Sequence, residues 1–119
     1  MILAEIVSRG WDAVGAGNFD ALVADYELDM KFIMPGQTEV IEGRQSFRAA
    51  LDGLDAILPP GFTITGLRQI EGDGEVVSIV EWKSNKIGAS QLAVLFRFND
   101  QKIYEERWFI DTLQWKSAF

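Results

Sequence analysis

Residues 90–113 read SQLAVLFRFNDQKIYEERWFIDTL and contain the strongest signal for the fold. Apolar side chains alternate with polar or small ones on both sides of Asn99-Asp100, a dipeptide that is common in turns. This pattern predicts two antiparallel strands, at residues 90–98 and 102–113, joined by a tight turn.

Upstream of the hairpin the spacing changes from that of strands to that of helices. Two further strands, at residues 62–70 and 75–84, flank a Gly-Asp-Gly turn and complete a four-stranded antiparallel meander. Before them, three segments have apolar residues every three or four positions, which is typical of helices. These segments are residues 2–15, a stripe after the N-cap Asn18 that includes Tyr26, and residues 44–58. Between the second and third segments, short strands are predicted at 30–34 and 38–43, with a turn at Pro35-Gly36.

This order of elements predicts the fold class. Three helices on the concave face of a curved, mixed or antiparallel sheet of about six strands form an α+β cone that encloses a pocket. No linker, repeat or low-complexity segment interrupts the 119 residues. We therefore predict a single domain over residues 1–119.

Charge and hydropathy argue against two classes of partner. The net charge is −7 and the 11 Lys and Arg residues are scattered, so nucleic acid is not an expected partner. No apolar run approaches the roughly 20 residues of a membrane span. The first residues, MILAEIVSRGWDAV, lack the pattern of a signal peptide, so we expect a cytoplasmic location without membrane contact.

The chain has no cysteine and no histidine. Disulfides, thiolate metal sites, Cys nucleophiles and Ser-His triads are therefore excluded, and the commonest general base is missing. Neither a metal nor another cofactor is predicted. Any proton transfer must depend on Asp, Glu, Tyr or Lys.

Four motifs occur in an order that resembles a known superfamily. They are AGNFDAL at 16–22, FIMPG at 32–36, EGRQSFRAAL at 42–51 and VLFRFNDQKIYEERWFIDTL at 94–113. Through them nearly the whole chain resembles the nuclear-transport-factor-2-like superfamily, and within it the ketosteroid-isomerase and SnoaL-like polyketide-cyclase branch. The resemblance implies a conical α+β domain with a deep apolar cavity and, often, a homodimer formed through the sheet.

The catalytic groups of two related enzyme families do not occur at the matching positions. Where the isomerase pattern has its base, before the proline of the first strand, this chain has Met34. The protonated Asp corresponds to Val94, and the Tyr falls near Gly10. Methionine cannot take up the proton and valine cannot donate a hydrogen bond, so isomerisation by that mechanism is not expected. The set of limonene-epoxide hydrolases is also missing, because its positions fall on valine, serine and tryptophan.

Three side chains are candidates for acid/base chemistry. Asp111 follows Trp108 at a spacing found in the cyclase branch, where the resemblance implies a late acid. The alternative is that Asp111 caps or forms an ion pair at the end of the sheet. Glu106, if buried beside Trp108, would have a pKa raised by desolvation, whereas at the pocket mouth it would be solvated. Tyr26 is the third candidate.

Strand alternation predicts which side chains face the pocket. If Val94 points inward, so does every second neighbour on its strand and on adjacent strands. The predicted ligand-binding residues are Trp11, Phe32, Met34, Ser78, Val80, Trp82, Val94, Phe96, Trp108 and Ile110. This lining favours a small, flat apolar ligand, aromatic or polycyclic. The alternative is that the same side chains fill the cone as core.

The opposite face of the sheet is predicted to carry Leu95, Arg97, Arg107 and Phe109. On a monomer such a face would expose an apolar patch. We therefore expect a homodimer through the outer sheet face.

The sequence leaves three functional hypotheses open. In the first, the chain binds a small apolar ligand without turnover. In the second, it is an isomerase, cyclase or hydrolase of a hydrophobic metabolite, with a non-standard acid/base set around Asp111. In the third, it is an interaction module whose sheet face matters more than its pocket.

Overall fold

The computed structural model describes residues 2–34 and 40–119. The strands are β1 (Tyr26–Ile33), β2 (Ile41–Glu42), β3 (Thr63–Glu71), β4 (Glu75–Lys83), β5 (Ser90–Asn99) and β6 (Lys102–Phe109). The helices are α1 (Leu3–Gly15), α2 (Phe19–Val23), α3 (Arg44–Leu51), α4 (Leu54–Ile57) and α5 (Thr112–Ser117). One curved sheet has the order β2-β1-β6-β5-β4-β3, antiparallel except for the parallel pair β1–β6. The predicted Pro35-Gly36 turn lies outside the described residues.

The predicted α+β fold class with a six-stranded mixed sheet is confirmed, but the described residues form five helices rather than three. The predicted third helix is interrupted at Gly53, whose backbone leaves the helical region. The predicted last strand ends at Phe109, earlier than expected. The reason is that the Asp111 carboxylate accepts a hydrogen bond from the Gln114 N–H (3.0 Å) and thereby caps α5.

The assignment of Tyr26 to the second helix is wrong. α2 ends at Val23, and Tyr26 is the first residue of β1, where it pairs with Ile103 of β6. Its ring is 2% exposed and lies 5.1 Å, between centroids, from that of Phe47 on α3. Burial of an aromatic side chain on the sheet outweighs the helical spacing that includes it.

The core lies between the helices and one face of the sheet. Alternate residues of β4 and β5 are buried, as strand alternation predicted. They are Val76, Ser78, Val80, Trp82, Leu92, Val94, Phe96 and Phe98. From the helical layer, Ile6 and Val7 of α1 are each 2% exposed, and α1 packs on β3 and β4.

A β-bulge in β6 decides which of its side chains face the interior. Glu105 and Ile103 pair with consecutive residues of β5, so Tyr104 is an extra residue between them. Because of this extra residue, Ile103 and Glu106 are both buried although they are three positions apart. The bulge therefore places Glu106 on the inner face of the sheet.

The helices are short, and the longest, α1, has 13 residues. Within residues 2–34 and 40–119, none is long and apolar enough to cross a membrane. The expected cytoplasmic location stays a prediction.

Candidate functional site

A pocket of about 130 Å³ lies between the helices and the inner face of the sheet. Eight of the side chains that line it are aromatic: Trp11, Tyr26, Phe32, Phe47, Phe62, Phe96, Trp108 and Trp115. Most of the others are aliphatic. Ile57 and Ile64 also line the pocket and are 49% and 37% exposed, so it reaches the surface beside α4 and the start of β3.

A buried hydrogen-bonded group of three side chains lies at the sheet side of the pocket. The Glu106 carboxylate, 6% exposed, accepts one hydrogen bond on each oxygen. The donors are the Tyr26 hydroxyl and, at 2.7 Å, the Trp108 indole N–H. Tyr26 comes from β1 and the other two from the neighbouring strand β6, so the parallel strand pair and the bulge at Tyr104 bring the three together.

Burial dominates the acid/base properties of this group. It raises the pKa of Glu106 above its usual value, although the hydrogen bonds from Tyr26 and Trp108 act in the opposite direction. It also raises the pKa of Tyr26 well above its usual value, and the negative charge of Glu106 adds to that rise. Tyr26 therefore keeps its proton, and Glu106 is the member that exchanges a proton more readily.

The charged groups nearest to this site have other partners. Asp25, which also lines the pocket, accepts two hydrogen bonds from Arg9 of α1, at 2.6 and 3.0 Å. Arg44 of α3 donates to the Tyr26 carbonyl oxygen at 3.3 Å. Across the described part of the chain the ion pairs do not include Glu106, and no cluster of acidic groups could hold a metal ion.

Part of the predicted site lies at the pocket. The lining includes Trp11, Phe32, Met34, Phe96 and Trp108, together with the acid/base candidates Tyr26 and Glu106. Met34, which stands where the resemblance places an isomerase base, is partly buried against the core and contributes a thioether to the wall. The pocket therefore has an apolar group at that position.

The remaining predicted residues lie outside the lining: Ser78, Val80, Trp82, Val94, Ile110 and Asp111. Ser78, Val80 and Val94 are at most 1% exposed and fill the cone as core, which was the alternative interpretation. The Ser78 hydroxyl accepts a hydrogen bond from the Trp11 indole N–H at 3.0 Å and donates one to Gln69. Its polar atoms are thus committed to neighbouring side chains.

Asp111 and Ile110 follow the end of β6. The Asp111 side chain is exposed and binds the backbone of α5, as the capping alternative predicted. A role for Asp111 in proton transfer has no geometric support from this position, because the carboxylate is outside the pocket.

Trp115, which α5 directs into the pocket, was not predicted from the sequence. Its ring centroid lies 5.4 Å from that of Trp82, 5.8 Å from Phe62 and 6.5 Å from Trp108. A signal was present, since Asp111 followed by Thr-Leu-Gln is a typical helix start. Other missed lining residues come from α3, α4 and the adjoining segment: Phe47, Leu51, Leu54, Ile57, Leu58 and Phe62.

A family model and several solved structures match this chain. The model of the SnoaL-like domain matches residues 7–106. No curated protein sequence matches the chain. An NTF2-like protein from Burkholderia xenovorans LB400 is 18% identical, with a TM-score of 0.76 and coverage of 96% of this chain and 92% of that one.

Two further structures are similar over most of their length. A candidate polyketide cyclase from Xanthomonas campestris pv. campestris is 15% identical, with a TM-score of 0.77 and coverage of 96% of this chain and 93% of that one. TerC, co-crystallised with polyporic acid, is 16% identical, with a TM-score of 0.74 and coverage of 96% of this chain and 95% of that one. At such identities the likeness shows a common fold.

Proposed function

This chain belongs to the SnoaL-like domain family, and on that basis we propose that it binds a small apolar ligand with a flat ring in the pocket. The observation that carries the proposal is the lining, in which eight aromatic rings and many aliphatic side chains surround a few polar groups. Pockets of this composition retain apolar ligands, and a small number of polar atoms orient them. That TerC was crystallised with a small molecule supports a ligand in this fold.

The volume of the pocket limits the size of ligand that it can hold. Pockets for drug-sized molecules measure roughly 300–1,000 Å³, whereas an apolar cavity of roughly 150 Å³ holds benzene. The pocket has about 130 Å³. It therefore suits a single ring with small substituents better than a polycycle.

Calorimetric titration with toluene, benzyl alcohol and phenol would test ligand binding. Ala50 and Ala49 of α3 are both exposed, but only Ala50 lines the pocket. We expect the wild type and Ala49→Phe to bind these probes, and Ala50→Phe to bind them at least about tenfold more weakly because its ring occupies the entrance. Equal affinities for the two Phe variants, or no binding by any protein, would contradict the proposal.

A second candidate function is proton-transfer catalysis on a hydrophobic metabolite by an isomerase, cyclase or hydrolase. The buried Tyr26–Glu106–Trp108 group favours it, since desolvation raises the pKa of Glu106 into a range more useful for acid/base work. Glu106 would act as the acid or base, and Tyr26 would hold its carboxylate. Asp111 receives no role in this proposal because it lies outside the pocket.

Product analysis after incubation with single-ring enones, epoxides and esters would test catalysis. Glu106→Gln is expected to lower any turnover by about 10²–10⁴-fold, while Asp111→Asn, which still provides an N-cap, retains it. Turnover that survives Glu106→Gln would assign the chemistry to another group. If none of these substrates reacts, the binding proposal remains the better one.

The outer face of the sheet supports the proposal of a homodimer. Val77, Ile79, Ala93 and Leu95 are only partly buried there, and Phe109 is 51% exposed. Four charged residues of the same face are paired within the chain: Arg97 is bonded to Glu75 at 2.8 Å, and Glu105 is bonded to Arg97 at 3.3 Å and to Arg107 at 3.4 Å. A second copy placed over these residues would cover the apolar area with those charges already paired.

Light scattering at micromolar concentration would test the dimer. We expect the wild type to have twice the chain mass of 13.3 kDa and Phe109→Glu to be monomeric. Leu113→Glu, at a 79% exposed position on α5, is the matched control and should stay dimeric. A monomeric wild type would refute the interface.

A further inference from the structure

Among the described residues, Glu106 differs from Asp25, the other charged side chain of the pocket lining, because it has no cationic partner. Its two hydrogen-bond donors, the Tyr26 hydroxyl and the Trp108 indole, are neutral. Neutral donors orient a carboxylate and spread its charge, but they do not balance it. In the described residues, the arginines on the adjoining helices bind Asp25 and the Tyr26 carbonyl oxygen instead. When Glu106 is ionised, the described residues leave its negative charge without a cation, and a proton or a bound cation would compensate it.

The aromatic rings around Glu106 suit one kind of compensation. Trp108, whose indole binds the carboxylate, has ring centroids of Trp11 and Phe32 at 6.3 and 6.4 Å. Ring faces carry partial negative charge and attract ammonium groups, most strongly where water is excluded. A carboxylate beside several such rings is complementary to a positively charged nitrogen.

We propose that the ligand is a small ring-containing amine, bound as an ammonium ion against Glu106 with its ring among the aromatic side chains. The inference rests on the proposed ligand-binding function and names the class of ligand. The ammonium group forms a charge-assisted hydrogen bond to a second lone pair of the Glu106 carboxylate. The net charge of −7 also favours the approach of a cation over that of an anion.

The pocket volume agrees with an amine of modest size. The pocket of about 130 Å³ is close to the roughly 150 Å³ that holds benzene, and it opens to the surface beside α4, so a single ring with a short aminomethyl substituent is the size of amine that it suits. Asp25 is the other anionic side chain of the described lining, but Arg9 already binds it, so the nitrogen is expected next to Glu106. A matched pair of ligands that differ only in this nitrogen can therefore isolate the contribution of the carboxylate.

Calorimetry with benzylamine and benzyl alcohol tests the inference. Wild-type protein is expected to bind benzylamine about tenfold or more tightly than benzyl alcohol. In Glu106→Gln the ratio of the two affinities should fall to about one. Glu5→Gln, an exposed position on α1 that changes the net charge equally, should preserve the wild-type ratio.

The outcomes separate the inference from the function on which it rests. If wild-type protein binds benzyl alcohol as tightly as benzylamine, or more tightly, the amine inference is wrong and the binding function stands. If Glu106→Gln keeps the preference for the amine, the ammonium lies elsewhere and the inference is also wrong. If neither compound binds, both proposals fail.

Discussion

Trp115→Ala is expected to lower the free energy of unfolding by about 3–5 kcal/mol. Trp115 is 8% exposed, and its ring contacts Trp82, Phe62, Trp108 and Phe119. Truncation removes these contacts and leaves a cavity that the sheet cannot close by collapse. Since domains of this size have a total stability of about 5–15 kcal/mol, urea denaturation should show a large fall in the midpoint.

Leu113→Ala is the matched control for this prediction. Leu113 lies on the same helix, α5, but is 79% exposed, so its replacement should change stability by about 0.5 kcal/mol or less. If the two variants unfold at similar urea concentrations, α5 is not packed on the sheet and Trp115 does not line the pocket.

Glu106→Gln is expected to become more stable than the wild type as the pH rises. Burial raises the pKa of Glu106 in the folded chain above its usual value of 4.5. The folded state therefore binds the proton more tightly than the unfolded state does, and ionisation at higher pH favours unfolding. Stability from the protonated carboxyl is fully present below pH 4.5 and is lost as the pH rises through the raised pKa. Each tenfold difference in proton affinity between the two states is worth about 1.4 kcal/mol.

Urea unfolding of both proteins between acidic and mildly alkaline pH would measure this effect. The Gln side chain can accept from Trp108 and donate to the Tyr26 hydroxyl oxygen, so it preserves most of the hydrogen-bonded group without a titrating carboxyl. Glu5→Gln, at an exposed position, should differ from the wild type by about 0.5 kcal/mol or less throughout. A stability difference between wild type and Glu106→Gln that does not change with pH would show that the pKa of Glu106 is not raised.

The strands of this fold were predictable because their side chains alternate. Ser78 and Val94 are buried as the two-residue period required, and a tight turn joins β5 and β6 as predicted, although it consists of Asp100 and Gln101, one residue later than expected. Alternation does not, however, reveal how deep a cavity extends between two layers. That depth depends on the helices, and for this reason core residues such as Ser78 were predicted as ligand contacts.

The functional group itself depends on distances that no local pattern contains. Tyr26 and Glu106 are 80 positions apart and meet only because β1 and β6 pair in parallel. Helical spacing before β1 assigned Tyr26 to the wrong element, and the end of β6 was extended past a helix cap at Asp111. Both residues were candidates for proton transfer from the sequence, which stays a proposal, but their proximity is a property of the tertiary structure.

The extra residue Tyr104 has a consequence for how strands of this architecture tolerate a change in length. Deletion of Tyr104 would put Glu105 directly after Ile103, and regular alternation would still direct Glu106 inward and Glu105 and Arg107 outward. A strand that kept Tyr104 but paired it regularly would instead direct Glu105 and Arg107 inward and Glu106 outward. Whether this strand presents the acid or an arginine to the interior therefore depends on one backbone irregularity, and a gap of one residue placed at Tyr104 in an alignment leaves the pocket acid in place.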